Sequence, residues 1–221
     1  MVDAINKLRS VHSFASRIDH YEVPDCAELN AELLEAVAKW RADDPGLQVS
    51  NVTGWHSPTT LFSREEPAFQ KLVKAIRGAL IGSVRGYWPE FDPLKHPFLT
   101  EGWVNVSGNG AMNMPHTHAM SNLSGCYYVA TPGSDVDRSG TIEFQNPAGG
   151  LKPMNKFAER MIFEASRIDP HPGLLLIFPG YLRHMVYPNY AETDRVTIAF
   201  NMTILDQGRP RQARVATTRR G

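Results

Sequence analysis

The sequence predicts an α+β fold that is mainly β, with helices backing a sandwich or barrel. Two observations carry this. Helical periodicity fills the chain up to about residue 97. From Phe98 onward, apolar residues recur at every second position or in short solid runs bounded by Gly, Pro and Asn. A strand stands in front of the first helix. Pro24 and Asp25 offer an N-cap, after which Leu29, Leu33, Val37 and Trp40 mark one helical face that stops before Asp44-Pro45-Gly46. A second helix fits Glu65 to about Arg85. Pro67 lies in its first turn, Phe69, Leu72, Val73, Ile76 and Leu80 form its stripe, and Lys71, Lys74 and Arg77 fall on the other side.

Strands follow at Thr100–Ser107, Leu123–Ala130, Gly140–Phe144, Leu174–Phe178, Met185–Tyr187 and Arg195–Thr203, with one further helix between Asn155 and Phe163. No linker divides the chain. The expectation is one domain over residues 1–208, its helical part about 1–97 and its barrel about 98–208. Residues 209–221, with five arginines, read as a basic flexible tail.

Composition excludes several classes of function. Lys+Arg 23 balances Asp+Glu 23, so no basic excess draws the chain to nucleic acid or anionic lipid. No run approaches the roughly eighteen apolar residues of a membrane span. Met1–Phe14 is too polar for a secretory signal, and two distant cysteines, Cys26 and Cys126, suit a reducing compartment, so a cytoplasmic protein is expected. There is no Gly-x-Ser-x-Gly elbow, phosphate loop or dinucleotide fingerprint. Oligomeric state is not readable.

Chemistry concentrates in the histidines. His12, His20, His56, His96 and His171 each stand alone and read as surface or hydrogen-bonded residues. His116 and His118 differ: at i and i+2 on an extended segment, both imidazoles reach one metal, although His-x-His also arises as a plain surface pair. His184 raises the case, because a Pro-Gly turn delivers it to a strand start after the apolar run Leu174–Phe178. Three imidazoles suit Fe(II), Zn or Cu better than Mg or Ca. Eleven residues on, Arg195 opens a strand whose alternation puts Arg195, Thr197, Ala199 and Asn201 on one face, opposite Val196, Ile198 and Phe200. Such an arginine meets either solvent or an anion, and with Thr197 beside it the anion would be a carboxylate.

In order and spacing, these residues resemble the 2-oxoglutarate- and Fe(II)-dependent oxygenases of the prolyl-hydroxylase-like branch. The likeness runs over roughly Glu101 to Met202, through Gly108-Asn-Gly, His116-x-His118, Leu-Ser-Gly-Cys-Tyr-Tyr-Val, Gly140-Thr-Ile-Glu-Phe, Pro172-Gly-Leu-Leu-Leu-Ile-Phe-Pro, His184-Met-Val-Tyr-Pro and Arg195-Val-Thr-Ile-Ala-Phe-Asn. A closer likeness to a subset of uncharacterised bacterial members adds Asn51-Val-Thr-Gly-Trp-His-Ser, which resembles their Gly-Trp-x-Ser motif. The resemblance implies a double-stranded β-helix, a cupin-like jelly roll with helices on its larger sheet. It implies Fe(II) on His116 and His184, and Arg195, Thr197 and Tyr128 around the 2-oxoglutarate cosubstrate. The implied activity uses O₂, converts 2-oxoglutarate to succinate and hydroxylates a small-molecule or peptidyl substrate, with no catalytic residue separate from the metal centre.

One position departs from the family. Where it carries Asp or Glu, this chain has His118, so the site would hold a dication with three neutral ligands. We expect His118 to serve as the third ligand. Glu143 is the carboxylate weighed against it, pointing either into the barrel or to solvent. Ser124 and Cys126 share the face of Tyr128, and with Asn201 and Trp55 they are candidate substrate or supporting residues. Loops Trp55–Pro58, Ser107–Met114 and Pro147–Phe163 are candidates for the barrel mouth. Two rival readings remain: a cupin-type three-histidine dioxygenase that needs no 2-oxoglutarate, and a barrel that only binds a metal or ligand. The cupin reading gives Arg195 and Thr197 nothing to do.

Overall fold

The computed structural model describes residues 16–147, Lys156 and residues 165–205. The elements run β1 (Asp19–Glu22), α1 (Ala27–Asp43), β2 (Asn51–Val52), β3 (Trp55–His56), α2 (Pro67–Tyr87), β4 (Phe98–Ser107), β5 (Met112–His116), β6 (Leu123–Ala130), β7 (Ile142–Gln145), β8 (Ala165–Ile168), β9 (Leu174–Pro179), β10 (His184–Val186) and β11 (Arg195–Ile204). They form a six-stranded sheet ordered β1-β9-β6-β11-β4-β3 and a five-stranded sheet ordered β2-β5-β10-β7-β8. None of the described helices is long and apolar enough to cross a membrane.

Alternation along the large sheet divides it between two cores. Val104, Val106, Tyr127, Val129, Leu175, Ile177, Val196, Ile198 and Phe200 face outward. They pack with Leu33, Val37 and Trp40 of α1 and Phe69, Leu72 and Ile76 of α2. The intervening residues face the five-stranded sheet, where Tyr128, Leu176 and Phe178 meet Ile142, Phe144 and Val186. The central strands β9, β6 and β11 are thus buried on both faces along most of their length, so β9 reads as a solid apolar run, Leu-Leu-Leu-Ile-Phe. Tyr127 also latches helix to sheet, its hydroxyl donating to Asn30 Oδ1 of α1 at 2.6 Å. Tyr127→Phe leaves that buried amide oxygen without its donor, so urea unfolding should report a loss of about 1–2 kcal/mol. A variant as stable as the parent would mean that the latch carries no weight.

Some expectations need correction. Asp25 does not cap α1. It sits at φ 50° in a left-handed turn, and the helix starts after Cys26 with no side-chain cap. Asp accepts that conformation better than most residues, so the turn took it in place of the cap. Trp55 is not at a barrel mouth. Its ring packs edge-on to Trp40 with centroids 6.0 Å apart, and its Nε1 donates to Asp44 O at 3.0 Å, which places it in the helix-side core. Strands β2, β3, β5 and β8 were not anticipated as strands. Of these, β8 is the edge strand Ala-Ser-Arg-Ile, paired to β7 alone and lacking an apolar run. The Asn155–Phe163 helix, most of the Pro147–Phe163 loop and the 209–221 tail lie outside the described residues.

Candidate metal centre and anion pocket

The pairing of β5 with β10 sets two histidines side by side. His116 ends β5 directly opposite His184, which opens β10. Their ring centroids are 4.4 Å apart. His118 follows two residues beyond β5, its N–H donating to Gly180 O at 2.8 Å, which hangs its loop on the turn before His184. Its ring centroid lies 5.0 Å from that of His116 and 5.3 Å from that of His184. One nitrogen of each ring falls within 4.8 Å of the others, close enough to share one ion.

Two of the three rings are fixed by the backbone. His116 Nδ1–H donates to Met114 O at 2.7 Å, and His184 Nδ1–H to Leu182 O at 2.9 Å. Each carbonyl belongs to the residue two positions earlier and leaves the Nε2 lone pair for a ligand. Among the described residues, no hydrogen bond anchors the His118 ring. Burial lowers all three pKa values, that of His118 to about 4 and that of His184 to about 3, with the His116 charge adding to both. At neutral pH the three imidazoles are therefore uncharged donors. Phe178 and Phe144 wall the back of His184 at centroid distances of 4.8 and 5.8 Å.

Rows of paired residues cross the inner face of the large sheet. His56, Asn105, Thr197 and Tyr128 lie in register on β3, β4, β11 and β6. The next row runs Trp103, Ala199, Cys126, Leu176, and the one beyond it Glu101, Asn201, Ser124, Phe178. Arg195 pairs with Ser107 at the other end. His116, His118, His184, Arg195, Thr197, Tyr128, Cys126 and Ser124 all line one pocket, and among the described residues no carboxylate lines it with them.

That pocket holds the buried side-chain atoms left without a partner among the described residues: Arg195 Nε, Tyr128 Oη and Asn105 Oδ1. Such orphans are rare in folded proteins and ask for a missing group. Arg195 is only 3% exposed. Its guanidinium carbon sits 5.3 Å from the centre of the Tyr128 ring. Burial raises the Tyr128 pKa well above the ordinary phenol range and keeps that hydroxyl a donor. A buried cation and a buried donor on one wall fit a carboxylate, and three neutral imidazoles on the other fit a divalent transition metal.

Not every expected residue belongs to this group. Glu143 lies on the outer face of β7, accepting from Arg167 Nε at 2.7 Å and Tyr187 Oη at 2.8 Å. It is the strand neighbour of the inward-facing Ile142 and Phe144, and the period-two pleat turns it away from the histidines. Asn201 is not part of the pocket wall but props it. Ser124 Oγ donates to Asn201 Oδ1 at 2.7 Å, and Asn201 Nδ2 donates to Glu101 at 2.8 Å. Sequence reasoning missed Trp103, Asn105, Asn113 and Ser50, which line the pocket, and treated His56 as isolated although it stacks on Trp103 at 5.3 Å. Alternation along Thr100–Ser107 already placed Trp103 and Asn105 on one face, and that was the available signal.

Residues 101–201 match a family model described as "Putative 2OG-Fe(II) oxygenase". That stretch, just under half of the chain, is similar to the 2OG-Fe(II) oxygenases. No curated protein sequence matches the chain. Among solved structures, a prolyl-4-hydroxylase from Pseudomonas putida superposes with TM-score 0.60 at 13% identity, over 86% of this chain and 93% of that one. A Trichoplax adhaerens prolyl hydroxylase, solved with a hypoxia inducible factor peptide, gives 0.58 at 16% identity over 84% and 83%. HygX from Streptomyces hygroscopicus, solved with nickel and 2-oxoglutarate, gives 0.60 at 13% identity over 85% and 83%. These likenesses show the fold, a double-stranded β-helix with two helices on its larger sheet.

The His118 loop is held by close backbone approach. A Cβ on Gly180 would overlap the Ser121 carbonyl oxygen and lie 2.6 Å from that of His118. Both atoms are backbone, so the loop itself must move. Gly180→Ala should weaken Co(II) binding by roughly tenfold, the scale of losing a ligand's support, while the far-UV circular dichroism stays that of the parent. Parental Co(II) affinity in this variant would show that the His118 loop is not positioned there.

Proposed function

We propose that the chain is an Fe(II)- and 2-oxoglutarate-dependent dioxygenase in which His116, His118 and His184 hold the metal and Arg195, Thr197 and Tyr128 hold the cosubstrate. One observation carries this reading: the unpartnered Arg195 Nε and Tyr128 Oη line the same pocket as the three clustered histidines. Bound Fe(II) supplies the redox chemistry with O₂ by which 2-oxoglutarate becomes succinate and CO₂ and a substrate C–H becomes C–OH. The protein's own residues do the rest. Arg195 neutralises the far carboxylate, with Thr197 and Tyr128 donating hydrogen bonds to it. The Met114 and Leu182 carbonyls keep His116 and His184 in the ligating tautomer. Phe144, Phe178 and Ile142 exclude water from that end of the site.

The charge balance suits this pairing. A dication on three neutral imidazoles plus Arg195 gives a pocket of three positive charges, of which the keto-acid dianion offsets two. Trp103, Asn113, Ser50 and Ser124 form the remaining wall, against which a small-molecule or peptidyl substrate would be oriented. The test is anaerobic addition of Fe(II) and 2-oxoglutarate to metal-free protein, followed by visible spectroscopy. A charge-transfer band from a chelated keto acid supports the reading. Iron binding without a band would instead favour a cupin-type dioxygenase, and no metal binding a non-catalytic barrel.

A further inference from the structure

The two ends of the pocket differ in hydrogen-bond polarity. Around Arg195 its wall presents donors, the guanidinium and the Tyr128 hydroxyl. Six positions further along β11, roughly 20 Å away, the row Glu101, Asn201, Ser124, Phe178 crosses the sheet. Phe178 of that row packs against His184 at a centroid distance of 4.8 Å, which puts Ser124 at the histidine end. A short keto acid clamped at Arg195 and Thr197 stops before it.

Polarity in that row is forced from one side. An ionised carboxylate accepts and never donates, so Glu101 Oε1 takes its 2.8 Å bond from Asn201 Nδ2. That turns Asn201 Oδ1 toward Ser124, whose hydroxyl donates to it at 2.7 Å and lies 3.3 Å from Phe200 O. A serine hydroxyl has a single hydrogen and two lone pairs. With the hydrogen committed to Asn201, Ser124 can only accept from the pocket that it lines. Among the described residues no donor reaches its oxygen, and Ser124 is only 1% exposed. The keto-acid dianion brings acceptors alone and cannot supply the donor.

We infer that Ser124 is a specificity-determining residue that accepts a hydrogen bond from a neutral O–H or N–H group of the substrate. Asn201 and Glu101 are positioning residues that hold the serine hydrogen away from the pocket. A substrate with only an acceptor at that point would set two oxygens face to face without a proton between them, and is discriminated against. The donor is uncharged for an electrostatic reason. Among the described residues no carboxylate lines the pocket, and the metal with Arg195 keeps an excess of positive charge over the keto acid, which repels an ammonium. The substrate class rests on the oxygenase reading; the polarity of Ser124 does not.

The probes are pyrrole, whose N–H donates, and furan, a ring of nearly the same shape whose oxygen accepts. Each is added to full-length protein loaded with Co(II) and 2-oxoglutarate, and paramagnetic broadening of its ring protons in NMR spectra reports occupancy. The pyrrole-to-furan ratio should be about threefold higher or more in the parent than in Ser124→Ala, which removes the acceptor. Glu101→Lys should invert the preference. An ammonium only donates, so Asn201 turns its oxygen outward, its Nδ2 faces Ser124, and the serine hydrogen swings into the pocket. The ratio should then fall below that of Ser124→Ala. A parent ratio equal to that of Ser124→Ala, or no broadening of either probe by the Co(II)-loaded protein, would overturn the role of Ser124. A parental ratio in Glu101→Lys would overturn the control by Glu101. Saturation-transfer NMR repeats the comparison on metal-free protein. The expected ratios there, in a protein that takes up no Co(II), would overturn the metal assignment and leave the polarity of Ser124 intact.

Discussion

Arg195→Met should abolish 2-oxoglutarate binding while making the ligand-free protein more stable. The two effects share a cause. The Arg195 side chain is 3% exposed, its Nε has no acceptor and its guanidinium has the Tyr128 ring rather than a carboxylate beside it among the described residues, so the free protein carries a largely desolvated cation. Methionine keeps the aliphatic stem, which lies against Gly140, and removes the charge. Thermal denaturation of metal-free protein should therefore show an equal or higher midpoint in the variant. The keto acid then loses its charged partner in a buried site. Such truncations typically cost about 2–5 kcal/mol, so the Fe(II)-dependent visible band should need at least ~30-fold more 2-oxoglutarate to appear. Keto-acid affinity within threefold of the parent would remove Arg195 from the clamp, and a large fall in stability would show that the guanidinium already has a partner.

His184→Ala should be the most damaging of the three histidine substitutions, and His118→Ala the least. His184 is the most buried of the three, and its orientation is set by Leu182 O, by two phenylalanine rings and by the register that sets it opposite His116. Losing the outer support of a ligand costs about 10–100-fold in metal affinity, so losing this ligand should exceed ~100-fold. His118 sits in a loop with a free ring, and its removal forfeits less preorganisation. Co(II) titration monitored by visible absorption ranks the variants, and the reverse order would mean that His118 is the principal ligand. His118→Asp adds a sharper comparison. A carboxylate there lowers the charge of the loaded site by one, so tighter Co(II) binding with weaker 2-oxoglutarate binding is expected. Equal changes in both would mean that charge balance does not govern this pocket.

The sequence disclosed whatever depends on periodicity. Arg195–Asn201 alternates so plainly that its two faces were assignable, and the structure puts Val196, Ile198 and Phe200 against the helices and Thr197 and Ala199 on the pocket. Leu123–Ala130 was bounded to the residue, and the spacing of His116, His118 and His184 was enough to group them. What stayed hidden depends on pairing between distant strands. Nothing local in Asn105 says that it lies beside Thr197, and nothing in Glu143 says that Arg167 and Tyr187 hold it on the outer face. Trp55 misled for the same reason: a tryptophan beside a turn reads as a mouth residue until Trp40 of α1 is seen against it. The short edge strand β8 has no apolar pattern to read.

The double-faced large sheet bears on how this protein can change. Neighbouring residues of β4, β6 and β11 serve separate masters, one the helix-backed core and the next the pocket, so stability and selectivity are interleaved letter by letter along one strand. Trp103, Asn105 and Cys126 are exchangeable for residues of similar volume with little call on the packing of Val104, Val106 and Tyr127. Such an arrangement makes the barrel evolvable: a lineage can rewrite every second position to meet a new substrate while the intervening positions keep the scaffold folded.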